Sequence, residues 1–147
     1  MLKNYPSSYV SPINIRIVLD TSCLVSLYLY DIHHSRSLAI IEKIAHGEIT
    51  GTISILTLIE FCSVIRRVTN EAKAVEVKTE LDFMIKTGLL SVLSFSADDA
   101  SALAIKTSLK CVDAIIVSTA KNAGAKLFTF DEEIKKKAHG IVDFYGD

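Results

Sequence analysis

The spacing of apolar and polar positions along the chain switches repeatedly between the short runs of strands and the three-to-four-residue period of helices. Ile15 to Leu19 is a mainly apolar, β-branched run that suits a buried strand. It leads directly into Asp20-Thr21-Ser22, a helix-start signature, and then into apolar Cys23 to Tyr30. From Ser35 to His46, Leu38, Ile41 and Ala45 recur at helical spacing, and Gly47 stops the run. Thr50 to Ile53 reads as a second strand, and Ser54 to Val68 as a long helix with Arg66 and Arg67 near its end, where cations suit the helix dipole. Ala74, Val77, Leu81 and Ile85 predict an amphipathic helix over Glu71 to Thr87. Leu90 to Leu93 is a third strand. Ser96 to Asp99 opens another helix with a variant of the capping box. Val112 to Asn122 predicts a buried helix, Lys126 to Thr129 a fourth strand, Asp131 to His139 a short polar helix and Ile141 to Phe144 an edge strand.

Strands alternating with helices predict an α/β three-layer sandwich, with a mainly parallel central sheet flanked by helices. The chain shows no repeat, low-complexity tract or internal linker. Residues 1–14, with Pro6, Pro12 and several serines, read as an N-terminal tail, and residues 15–147 as one domain.

Composition narrows the class. Half of the 147 residues are hydrophobic, which excludes a disordered chain. The formal net charge is −1, which excludes a protein that coats nucleic acid through its overall field. Cys23, Cys62 and Cys111 sit in apolar segments without ligand spacing, and are expected to be small buried hydrophobes in a reducing compartment. No secretory signal and no apolar run of about 20 residues is visible, so a cytoplasmic protein with no membrane contact is expected.

The chemistry lies in isolated acids. Asp20 is the only charge between Arg16 and Asp31, Glu60 the only one between Gly51 and Ile65, and Asp113 the only one between Lys110 and Lys121. Asp131 directly follows apolar Leu127 to Phe130. A carboxylate embedded in apolar sequence is costly unless paired, protonated or metal-bound. Helix capping could account for Asp20, Asp113 and Asp131. Glu60 stands too deep in its helix for that; a salt bridge to Arg66, Arg67 or Lys110 is its alternative. Several acids fall near strand ends, where open parallel sheets bind ligands. Carboxylates meeting there would repel one another, and Mg²⁺ or Mn²⁺, which prefers oxygen ligands, would relieve the repulsion. Such an arrangement suits phosphodiester hydrolysis.

Ile17-Val18-Leu19-Asp20-Thr21-Ser22 resembles the opening motif of PIN domains. Glu60 within Leu58 to Phe61, Asp113-Ala114 with Thr119-Ala120, and Leu127 to Asp131 resemble the three acidic motifs that follow, in order and over about Ile15 to Phe144. The nearest subgroup in appearance is the VapC-type toxin ribonucleases. The resemblance implies Mg²⁺- or Mn²⁺-dependent endonucleolytic cleavage of RNA, a homodimer and a neutralising antitoxin. It makes Asp20, Glu60 and Asp113 primary metal ligands and gives Asp131 a second metal or a water to orient. Thr21 or Ser22 would contact the site by hydroxyl, and Thr129 would support Asp131. Arg66, Arg67, Lys106, Lys110 and Lys121 are candidates to hold RNA phosphates, Arg66, Arg67 and Lys110 foremost. The competing reading is the same fold with a weak or silent site, acting as an RNA- or protein-binding module.

Overall fold

The computed structural model describes residues 14–146. Ile15–Leu19 forms β1 and Ile49–Ser54 forms β2, and Leu90–Leu93 (β3) and Lys126–Phe128 (β4) complete a four-stranded sheet in the order β3-β2-β1-β4. All three pairings are parallel; Ile17 faces Gly51 on one side and Lys126 on the other. Parallel neighbours need crossovers. These are supplied by α1 (Thr21–Leu29), α2 (His34–Ala45), α3 (Ile55–Val68), α4 (Glu71–Lys86), α5 (Ala97–Thr107) and α6 (Cys111–Asn122), and α7 (Glu132–Lys137) follows β4.

Alternation along β1 builds the three layers. Ile17 and Leu19 pack with α1 to α4 residues such as Leu24, Ile44, Phe61 and Leu81. Val18, between them, points the other way and packs with Leu103, Ile116, Leu127 and Ile134. The layer beneath α2 lies very close to the sheet: a β-carbon on Gly51 would sit 2.4 Å from Ile44 Cδ1 and 2.8 Å from Leu90 Cδ2. Gly51 therefore lets α2 and β3 close over β2.

Three sequence expectations need correction. The buried face of α2 is Ser37, Ile40 and Ile44, whereas Leu38 is 40% exposed. The apolar period was right but its phase was off by one residue, because Ser37 takes a core position. The expected edge strand over Ile141 to Phe144 is a single bridge between Leu127 and Phe144, with Leu127 N–H donating to Asp143 O at 2.8 Å. Only Cys23 is buried among the cysteines; Cys62 is half-buried and Cys111 exposed. The expected tail, apart from Asn14, lies outside the described residues. Among those described, no helix is long and apolar enough to cross a membrane.

Candidate acidic site

The strand order places a switch point beside β1. The chain advances from β1 to β2 to β3 in one direction, then returns to lay β4 on the other side of β1. At such a point the connections leave in opposite directions and open a crevice at the carboxyl ends of the strands. Asp20 is the first residue after β1, and its backbone N–H donates to Phe128 O at 3.0 Å, which ties the ends of β1 and β4 together.

Asp20 is both a helix cap and a buried acid. Its Oδ1 accepts from Thr21 N–H at 2.8 Å, and its Oδ2 accepts from the hydroxyls of Ser22 at 2.8 Å and Thr129 at 2.7 Å. These bonds favour the ionised form. Burial nevertheless outweighs them and, with some help from the negative charge of Asp131, holds the carboxyl above its ordinary range. Thr129, itself buried, links two of the acids: its hydroxyl donates to Asp20 and accepts from the backbone N–H of Asp131 at 3.0 Å. Asp131 caps α7, accepting from Glu133 N–H at 2.8 Å and Ile134 N–H at 3.2 Å through Oδ1. Its Oδ2 takes no part in the cap.

Glu60 arrives from α3, six residues into the helix and half-buried. The salt bridge weighed as its alternative is not what it makes; its Oε2 accepts from the hydroxyl of Thr21. Asp113 stands in the first turn of α6, and the cap position belongs to Lys110, whose side chain makes no capping bond. Capping thus describes Asp20 and Asp131 but leaves Asp113 unexplained. Its carboxyl is pushed up to about 6, chiefly by burial, then by the negative charges of Asp20, Asp131 and Glu60, with Lys110 opposing. Asp113 thus feels the charges of the other three acids, and Asp20 that of Asp131. As the side chains stand, no group of three or more His, Cys, Asp or Glu among the described residues is gathered closely enough to hold a metal ion. The four share a field without yet sharing a ligand position. The donor set is entirely oxygen, the chemistry that suits a hard divalent cation.

The cation candidates separate. Lys110 adjoins Asp113 and acts on it directly. Arg66 and Arg67 lie six and seven residues beyond Glu60 on α3, about 9–10 Å further along the axis at 1.5 Å per residue. Arg66 borders a shallow groove with α4, and Arg67 bonds Ser63 at 2.6 Å, so the fold does not bring these two to the acids. Lys106 and Lys121 line a separate cavity between α5, α6 and Gly140. Sequence reasoning passed over a stack at the crevice edge. The His33 ring lies on Phe130 with centroids 4.1 Å apart and planes at 10°, and the Arg36 guanidinium carbon sits 5.2 Å from the Phe130 centroid. Periodicity could not reveal it, since the partners are nearly a hundred residues apart.

The model of the PIN domain family matches residues 17–140, which takes in all four acids. The chain belongs to the PIN domain family. A comparison with curated proteins finds no match. Solved PIN-like structures agree in fold. The VapC20 toxin of Mycobacterium tuberculosis, described as cleaving the sarcin-ricin loop, superposes with a TM-score of 0.66 at 19% identity, covering 86% of this chain and 97% of that one. VapBC2 of Rickettsia felis, bound to a DNA fragment from its promoter, gives 0.66 at 18% identity over 89% and 98%. PAE2754 of Pyrobaculum aerophilum gives 0.65 at 20% identity over 96% and 92%. At these identities the likeness speaks for the PIN fold, and the sandwich expected from the sequence is the one found.

Proposed function

We propose that this PIN-domain chain is a metal-dependent endoribonuclease and the toxin of a toxin–antitoxin pair. The observation that carries the reading is that Asp20, Glu60 and Asp131 all bear on Asp113 at the strand switch point, where burial first and then their charges raise its carboxyl to about 6. Fixed like charges at a crevice are unfavourable for the fold alone and become useful when a cation is bound among them. In this reading Asp20, Glu60 and Asp113 hold Mg²⁺ or Mn²⁺, and Asp131 uses its free Oδ2 for a second ion or a water. A bound divalent ion supplies Lewis acidity at the phosphoryl oxygen and a lowered pKa for attacking water. The protein's own part is placement. Thr129 fixes Asp20 relative to Asp131, Thr21 aims Glu60, Ser22 holds the second oxygen of Asp20, and Lys110 offers charge to a backbone phosphate.

The biology rests on the neighbours. VapC20 is described as a toxin, the Rickettsia and Salmonella structures are of VapBC bound to DNA, and a FitAB structure is likewise bound to a DNA fragment. By analogy the chain acts on RNA in the cytoplasm, forms a homodimer and is neutralised by an antitoxin. One observation favours the silent binding module instead: the acids are not gathered as a ligand set. Controlled expression in a bacterial host separates the two. A toxin arrests growth and leaves a discrete cut in cellular RNA, and Asp113→Asn does neither at equal soluble expression. Unaffected growth and intact RNA at high soluble expression would favour the binding module.

A further inference from the structure

Phe130 lies between Thr129 and Asp131, and its backbone N–H donates to the Ser22 hydroxyl at 3.3 Å; that same hydroxyl donates to Asp20. The ring is thus anchored to the acidic site by backbone and side-chain bonds. Its side chain leads to the start of α2, where His33 stacks on it and Arg36 sits over it. Arg36 is exposed, and among the described residues no carboxylate pairs with it. Most long cationic side chains on such a surface wander; this one is held over the ring of Phe130, the residue before Asp131, and among the described residues keeps its N–H donors free. Lys110 reaches the acids from α6, in the layer on the other side of the sheet from α2. An anionic chain crossing the crevice would meet Arg36 on one side and Lys110 on the other.

We propose that Arg36, held by Phe130 and flanked by His33, binds an RNA backbone phosphate next to the one cleaved. The proposal rests on the ribonuclease reading and adds to it the element that grips the substrate. Arg36 takes the place that Arg66 and Arg67 were expected to fill. It is a binding group, and Phe130 is its positioning residue.

The test measures binding of a fluorescein-labelled single-stranded RNA to the full chain by anisotropy in EDTA, at several salt concentrations, with cleavage kinetics in Mn²⁺ alongside. Arg36→Ala should weaken binding about tenfold, as loss of a charged hydrogen bond does. It should also flatten the slope of log affinity against log salt by about 0.7, the share of one phosphate on a single strand. The loss should fall on KM, with kcat nearly unchanged. Arg36→Lys should restore the slope and only part of the affinity, because an ammonium has no planar fork to stack or bridge. Phe130→Leu should lower affinity at an unchanged slope. A merely structural role would shift melting temperature and leave the slope alone. Wild-type affinity and slope in Arg36→Ala would overturn the proposal. A flattened slope without any cleavage by the wild type would uphold Arg36 as a phosphate-binding group and overturn both the nuclease reading and the placement beside a cleaved phosphate. Absence of RNA binding by the wild type would overturn both.

Discussion

Asp113→Asn is expected to make the protein inactive and more stable at once. Cleavage should fall by roughly two to three orders of magnitude, the scale for removing one group that acts on developing charge at a transition state. In metal-free buffer at pH 7.5 the variant should melt higher than the wild type. The sign follows from the carboxyl standing near 6 in the fold against an ordinary 3.8. Below about pH 4 both folded and unfolded chains carry the proton, and Asp113 costs nothing. As pH rises from about 4 to 6 the unfolded chain releases its proton first, so the folded state loses stability; above 6 the loss is complete and constant. Asp113 is half-buried, so solvent screening reduces the effect to about 1 kcal/mol, or about 2–4 °C in a domain of this size. Thermal melts of the two proteins in EDTA at pH 4.5, 6 and 7.5 check it. The gap should be about a third of its full size at the lowest pH and full at the highest, and Mn²⁺ should close it by stabilising only the wild type. A gap of equal size at all three values would show that the buried charge of Asp113 is not its source.

Thr129→Val is expected to be the most damaging of the conservative changes. Valine keeps the shape and removes a hydroxyl that donates to Asp20 at 2.7 Å and accepts from Asp131 N–H at 3.0 Å. Both partners stay where they are, one a buried carboxylate and one a backbone donor at the start of α7. Asp131 N–H is left unpaired and Asp20 keeps only its bonds from Thr21 and Ser22, a loss of about 1–3 kcal/mol, more where charge is involved. The melting temperature should drop by about 2–4 °C for each kcal/mol lost. Activity should fall about 10- to 100-fold, as when a group that orients a metal ligand is removed. Thr129→Ser keeps the hydroxyl and should recover most of both. Thermal melts and cleavage rates of the three proteins check it; a Val variant with wild-type stability and rate would show that the Thr129 bridge holds nothing in place.

The sequence was most informative where composition is unusual. A lone acid within apolar surroundings stands out in one dimension, as Asp20, Glu60 and Asp113 did, and Asp131 stood out at the end of an apolar run; in the fold Asp113 feels the charges of the other three and Asp20 that of Asp131. Strands and helices were legible too, the strands as short apolar runs and the helices by their apolar spacing, caps and closing glycines. The misses have separate causes. Ser37 occupies the core position that the pattern gave to Leu38, since a small hydroxyl can be buried where a helix lies close to its neighbours. The terminal edge strand failed because one bridge at Leu127 satisfies the backbone without a ladder. Arg66 and Arg67 sit on the same helix as Glu60, yet two turns along the axis carry them away from it. Phe130 follows the fourth expected strand and His33 falls between two expected helices; that they stack is a product of tertiary folding alone.

The most direct measurement is cleavage of labelled single-stranded RNA by the purified chain in Mn²⁺ or Mg²⁺ and in EDTA, with Asp20→Asn as a folded control checked by circular dichroism. The account predicts cleavage that needs the divalent ion, stops in EDTA, returns when the ion is restored and is absent from the variant. Cleavage that persists in EDTA, or in folded Asp20→Asn, would contradict a carboxylate-held metal as the source of the activity.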